Sequence, residues 1–223
     1  MLMLLSFKNI SKSFIQRGIV LDSLSLDVKE GDSIAIMGPS GSGKTTFMNI
    51  AGLLDKADEG MVTFRDRDIM QYNDDEAAAY RNLNIGFVFQ DHLLLPHLTV
   101  RENILLPLLA SKHNRNELLQ KEQHAEELMV KTGISDLSGK YPAAISGGEA
   151  QRAALVRALV NNPSILLADE PSGSLDAKNA EIMGELLSAM NKEAGITLIL
   201  ATHSEKLALK MSRTLHLGNG KLY

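Results

Sequence analysis

Short apolar runs separated by polar turns recur along this chain, and their periods sort them into strands and helices. Leu24, Leu26 and Val28 alternate with polar residues, as on a half-buried strand, and Leu4 to Phe14 reads as a strand and turn before them. Glu30-Gly31-Asp32 turns the chain into Ser33-Ile34-Ala35-Ile36-Met37, an apolar run without alternation. Runs of this kind suit strands buried on both faces, and Ile85 to Phe89, Ile165 to Ala168 and Thr197 to Ala201 share the character. Gly60 to Phe64 is a shorter strand with the polar turn Arg65-Asp66-Arg67-Asp68 after it, and Arg213 to Tyr223 reads as a hairpin turning at Asn219-Gly220. Helices are predicted over Thr45 to Leu54, from about Ala150 to Val160, and after Asp176 through about Ala194.

From Asp91 to Ile145 the strand patterns vanish. Thr99-Val100-Arg101-Glu102 opens one helix, and Arg115 to Lys131 forms another that ends at Gly133. Leu118, Ala125 and Met129 fall on one face of it, with Lys121, Glu122 and Glu126 expected in solvent. The chain is therefore one domain over residues 1–223: an α/β core of about 1–90 and 160–223, with a helical subdomain of about 91–159 inserted. The leucines at 93–95 and 105–106, bounded by Pro96 and Pro107, suit docking of a partner and internal packing equally.

Chemistry concentrates at the stretch GPSGSGKTT, Gly38, Pro39, Ser40, Gly41, Ser42, Gly43, Lys44, Thr45 and Thr46. A glycine, four residues, then glycine, lysine and a hydroxyl is the phosphate-loop pattern, here between a buried strand and a helix. Backbone N–H groups and the positive end of a helix dipole converge there. Lys44 adds charge for the terminal phosphates, and the Thr45 hydroxyl is placed to ligate magnesium. The chain binds a nucleoside triphosphate.

Other candidates lie at strand ends, where ligands bind in α/β folds. Gln90 suits a metal ligand that also holds a water, or a strand cap. Asp169 and Glu170, directly after an apolar run, divide naturally into a carboxylate for magnesium and one for the attacking water. His203 follows the last buried strand. Ser146-Gly147-Gly148-Glu149 is a second glycine-rich turn opening a helix, either a second phosphate site or an ordinary N-cap. Phe14, upstream of the loop, suits base stacking and core packing alike.

The bulk numbers remove alternatives. Lys and Arg total 23 against 27 Asp and Glu, a formal charge of −4, without the basic surplus of a nucleic-acid binder. No cysteine is present, so disulfides and thiol chemistry are out. The opening MLMLLSFKN lacks a basic leader and reads as strand, and the apolar runs are too short to cross a bilayer. Work at a membrane then needs another chain.

Taken in order, these motifs resemble the ATP-binding subunit of ABC transporters over essentially the whole chain. Phe14 matches the adenine-stacking aromatic, Gly38–Thr46 the Walker A loop and Gln90 the Q-loop. Ile145 to Glu149 matches the signature, Ile165 to Glu170 Walker B, Ser174-Leu175-Asp176 the D-loop and His203 the switch histidine. The resemblance implies a P-loop, RecA-like core with an N-terminal antiparallel β subdomain and an inserted helical one. It implies ATP and Mg2+, the metal on Thr45, Gln90 and Asp169, and a head-to-tail homodimer. ATP would lie between the Walker A of one copy and Ser146, Gly147, Gly148 and Glu149 of the other, with Asp176 nearby. Glu170 would polarise the water, with Lys44, Gln90 and His203 completing catalysis. Permease subunits in the membrane would dock on the helical subdomain, leaving the ATPase peripheral on the cytoplasmic face of the inner membrane.

Within that family, Leu94-Leu95-Pro96, Thr99 to Pro107 and Leu167 to Asp176 resemble the small stand-alone ATPases with four-helix membrane partners, and Arg157 to Pro163 is particularly similar to the ATPase of lipoprotein-releasing systems of Gram-negative bacteria. The expected function is therefore a motor for lipoprotein release. Macrolide or peptide efflux, regulation of cell-wall hydrolases, and a soluble ABC ATPase of DNA repair or translation are the alternatives. Departures from the pattern are Ile145, Glu149, Ser172, Ser174 and Ser204; none touches Lys44, Asp169, Glu170 or His203.

Overall fold

The computed structural model describes residues 3–223. Two sheets carry the chain. In the first, β1 (Met3–Phe14) and β2 (Gly18–Lys29) form a long hairpin, and β4 (Glu59–Phe64) with the two-residue β5 (Arg67–Asp68) completes the order β2-β1-β4-β5, antiparallel throughout. In the second, β3 (Ser33–Met37), β6 (Ile85–Val88), β7 (Ile165–Asp169), β8 (Thr197–Thr202) and β9 (Arg213–Gly218) run parallel. The order is β10-β9-β3-β8-β7-β6, and only the short β10 (Lys221–Leu222) is antiparallel to its neighbour.

The uninterrupted apolar runs have their explanation in this second sheet, which is covered on both faces. Successive side chains of a strand point to opposite sides. Ile34 and Ile36, Ile165 and Leu167, Ile199 and Ala201 all join one apolar cluster, shared with the first sheet, α1 (Lys44–Ala51) and α2 (Asp74–Asn84). Ala35, Leu166, Ala168, Leu198 and Leu200 point the other way, into a cluster with the helical half. That half contains α3 (Val100–Leu105), α4 (Arg115–Lys131), α5 (Gly147–Leu159), α6 (Ala177–Ala194) and the single turn α7 (Glu205–Ala208). Two cores thus share one sheet, and the loops at the C-terminal ends of its parallel strands carry the candidate residues.

Several helix boundaries differ from the sequence expectation. α1 stops at Ala51 rather than Leu54; at Gly52 a β-carbon would collide with the Phe87 ring, so this residue sets how closely helix and β6 approach. α5 starts at Gly147 rather than near Ala150, because Ser146 and Glu149 build a reciprocal capping box one turn earlier. α2 was not anticipated. Its sequence DDEAAAYRNLN buries only Ala77 and Tyr80, too little for an apolar stripe, and Asn73 starts it with a capping box to Glu76. In α4 the expected face is wrong in its first turns: Leu118 is 39% exposed, while Ala125, Leu128 and Met129 are buried. Lys121 and Glu122 are half-buried instead, reaching Asn161 (3.1 Å) and Arg101 (3.2 Å). Polar partners on neighbouring elements, invisible to periodicity, decided that face.

Candidate active site

The phosphate loop leaves β3 at Gly38, where a β-carbon would collide with the carbonyl oxygen of Leu217 on β9 and lie 2.8 Å from Ser42 Oγ. Glycine at 38 is a close-approach requirement. Gly43 caps α1 at φ 105°, the left-handed region, and offers no side-chain hydrogen bond to the first turn. The N–H groups of that turn therefore point at the loop with no acceptor from a capping side chain. A cavity of about 220 Å³ opens there, lined by Gly41, Gly43, Lys44, Thr45 and Thr46 from the loop, with Arg17 and Val20 from the first hairpin.

Lys44 is only 7% exposed. Its ammonium donates to the carbonyls of Gly38 (2.8 Å) and Pro39 (3.2 Å) and lies 3.6 Å from Glu170 Oε1. The loop is thus held in shape around a buried cation by its own carbonyls. Glu170 follows β7 with φ 48°, a strained conformation for a non-glycine residue, and its N–H donates to the Ala201 carbonyl at 2.8 Å. Its other oxygen, Oε2, lies 2.9 Å from His203 Nδ1 and accepts from the His203 N–H and the Thr202 hydroxyl, both at 3.3 Å. Lysine, glutamate and histidine from three different strand ends meet at one carboxylate.

Asp169, one residue earlier, is held above the ordinary aspartate value, chiefly by burial; the Thr45 hydroxyl counters this, Glu170 adds to it, and Lys44 counters it. Its Oδ1 is buried without a hydrogen-bond partner, as is Ser42 Oγ in the phosphate loop. An orphaned carboxylate oxygen facing a threonine hydroxyl fits a hard divalent cation with oxygen ligands. Among the described residues no group of three or more His, Cys, Asp or Glu side chains could hold a metal. Magnesium is a cation of that hard, oxygen-seeking kind; it takes few protein carboxylates and completes its shell with water and substrate phosphates.

Gln90 is exposed just beyond β6, its side chain 3.2 Å from the position of a β-carbon on Gly173, and its carbonyl accepts from the Ser174 hydroxyl at 3.3 Å. It therefore lies against the loop after Glu170. Gln151 of α5 donates to the Phe89 carbonyl next to it, tying the helical half to that strand end. Phe14, 38% exposed at the tip of β1, has the Lys12 ammonium 5.4 Å from its ring centroid; the hairpin residues that line the phosphate cavity are Arg17 and Val20. Composition gave no signal for those two, since the hairpin register alone brings them there.

The second glycine-rich helix start is built differently. Ser146, exposed, caps α5: Glu149 Oε2 accepts from the Ser146 N–H (2.7 Å) and hydroxyl (2.8 Å), and these hold the Glu149 carboxyl below its ordinary value, the N–H first. Gly148 is buried, and a β-carbon there would collide with the Asn179 side-chain amide, whose nitrogen donates to Asp176 at the start of α6 (3.0 Å) and whose oxygen accepts from Arg152 (3.2 Å). Asn179 went unnoticed in the sequence; it presses the two helix starts together. No hydrogen bond or ion pair among the described residues joins Ser146–Glu149 to Gly38–Thr46.

A phosphate loop between a parallel strand and a helix, with an aspartate and glutamate at the end of β7, two strands away in the same sheet, defines a P-loop nucleoside triphosphatase of mixed α/β build. Comparison with known proteins places it further. A sequence profile of the ABC transporter family matches residues 21–173. Lipoprotein-releasing system ATP-binding protein LolD of Myxococcus xanthus is 43% identical over 222 residues, 98% of each chain. Its counterpart in Porphyromonas gingivalis is 42% identical over 221 residues, and the uncharacterized ABC transporter ATP-binding protein YvrO of Bacillus subtilis is 42% identical over 222. Among solved structures, the cassette MJ0796 in a dimeric post-hydrolysis state bound to ADP and Pi superposes with a TM-score of 0.87. It is 36% identical and matched over 98% of this chain and 96% of its own. The chain belongs to the ABC transporter family and is an ATP-hydrolysing, nucleotide-binding subunit of it.

Proposed function

We propose that this chain is the motor of a transporter that releases lipoproteins from the inner membrane toward the outer one. The observation that carries this reading is likeness to lipoprotein-releasing ATP-binding proteins over nearly the full length of both chains. ATP displaces Lys44 from its carbonyl partners and lies along the uncapped start of α1, with Phe14 against the base. Glu170, oriented by His203 and Thr202, accepts a proton from the attacking water. His203 then holds the γ-phosphate. Thr45, Asp169 and Gln90 would hold magnesium, which would supply positive charge against the phosphates.

The second half of the site comes from a second copy, whose Ser146, Gly147, Gly148 and Glu149, with Asp176, close over the triphosphate. Support comes from the dimeric state of the MJ0796 cassettes and from the exposure of Ser146 away from its own phosphate loop. No helix among the described residues is long and apolar enough to cross a membrane. Permease subunits then supply the membrane part and dock on the helical segment 91–159, with the motor peripheral on the cytoplasmic face of the inner membrane. Depletion of the protein should leave outer-membrane lipoproteins in the inner membrane, and the protein should co-purify with a four-span permease; correct sorting after depletion would remove this cargo. The second reading is an efflux motor; the Bacillus subtilis ABC transporter ATP-binding proteins YknY and YvrO, 42% identical as well, carry no lipoprotein cargo in their names. Drug or peptide sensitivity with normal lipoprotein sorting would select it.

A further inference from the structure

Away from the phosphate loop, α6 and α7 enclose a cavity of about 380 Å³ lined by Lys178, Glu181, Ser204, Lys206, Leu207 and Lys210, with two alanines. Three of the lining residues are lysines and one is a glutamate, and among the described residues none of the three lysines makes an ion pair. Three lysines beside one glutamate leave the lining with a net positive charge.

The hollow is also shaped around one of them. Gly184 is buried in the middle of α6, where glycine is less favourable than alanine. A β-carbon there would lie 3.0 Å from Cδ and 3.2 Å from Cε of Lys210. The glycine makes room for the lysine stem, so Lys210 lies along α6 instead of swinging into solvent. A helix weakened at this point in order to seat a cation is a constructed feature.

We infer that this cavity binds a phosphate-bearing small anion, at a site separate from the phosphate loop. The lining favours an anion with several oxygens, since ammonium groups bind phosphate as point charges and one carboxylate cannot neutralise three of them. The site also touches the catalytic carboxylate indirectly. The Ser204 N–H donates to Thr202 Oγ1 at 3.0 Å, and that hydroxyl donates to Glu170 at 3.3 Å. Occupancy therefore lies two hydrogen bonds from Glu170. The inference stands whatever cargo the transporter carries.

Equilibrium dialysis of pyrophosphate against the full, nucleotide-free chain in metal-free buffer tests it. Two equivalents are expected, one in the phosphate loop and one in the cavity. The double variant Lys206→Gln, Lys210→Gln should lose one equivalent, weakened at least about tenfold, while ADP affinity stays that of the parent. Lys44→Ala should lose the other and keep the cavity equivalent. Gly184→Ala, by crowding Lys210, should weaken the same equivalent as the double variant, and Lys210→Arg should keep it. Inorganic phosphate as a second probe separates the sources: parity with pyrophosphate assigns a single phosphoryl group, and tighter pyrophosphate assigns a larger one. A single equivalent in the parent, an unchanged count in the double variant, or displacement by chloride at matched ionic strength would each overturn the inference.

Discussion

The chain contains two glycine-rich turns that open helices, and they are finished in opposite ways. At the start of α1, Gly43 offers no cap and a buried lysine waits among carbonyls. At the start of α5, Ser146 and Glu149 cap each other, and the surface is exposed. The first terminus is organised for an anion that the chain itself does not supply. The second is satisfied alone. A helix start that needs nothing from its own chain stays folded while waiting for a ligand brought by another copy, whereas one that needs an anion advertises its site in a single chain.

The largest effect that tests this contrast is on turnover. Glu170→Gln should retain nucleotide binding and reduce ATP hydrolysis by about 10²- to 10⁴-fold, with an ATP-bound dimer accumulating in gel filtration. Hydrolysis near the parent rate would remove Glu170 from its role. Lys44→Ala should weaken ATP binding about tenfold or more, measured by equilibrium titration, because a buried charge facing the phosphates is lost. Unchanged affinity would mean that backbone N–H groups suffice.

Smaller effects separate the two turns as structure. Gly38→Ala drives a β-carbon into the Leu217 carbonyl and should cost about 1–3 kcal/mol in chemical denaturation. Gly147→Ala meets nothing within 4 Å and should leave fold stability unchanged within about 0.5 kcal/mol. If the two alanines behaved alike, the asymmetry between the turns would be lost. Ser146→Ala should cost about 1 kcal/mol through the cap, leave ADP affinity of the separate subunit intact, and lower ATP turnover. A variant turning over ATP at the parent rate would detach Ser146 from the site.

Motifs whose chemistry depends on neighbours in sequence were legible: the strand before Gly38, the helix after Lys44, and the carboxylates after Ala168 were all read from local order. What was not legible depends on register or on partners far along the chain. Arg17 and Val20 reach the phosphate cavity only because β1 and β2 pair as they do. Asn179 meets Gly148 because α5 and α6 start side by side. Leu118 was assigned inward from its spacing to Ala125 and Met129, but the first turns of α4 lie beyond the core that covers the later ones. The His203–Glu170 contact joins positions 33 apart, and nothing local to either predicts it.

The left-handed backbone of Glu170 has a further implication for how this protein would drift. Glycine would occupy that turn without steric penalty, so the residue least suited to the bend is the one that the proposed reaction requires. Selection on folding alone would erase the enzyme at this position while making the protein sturdier. A lineage that abandoned hydrolysis but kept the scaffold should show its history first here, by relaxing Glu170 to glycine or asparagine long before Gly38 changes.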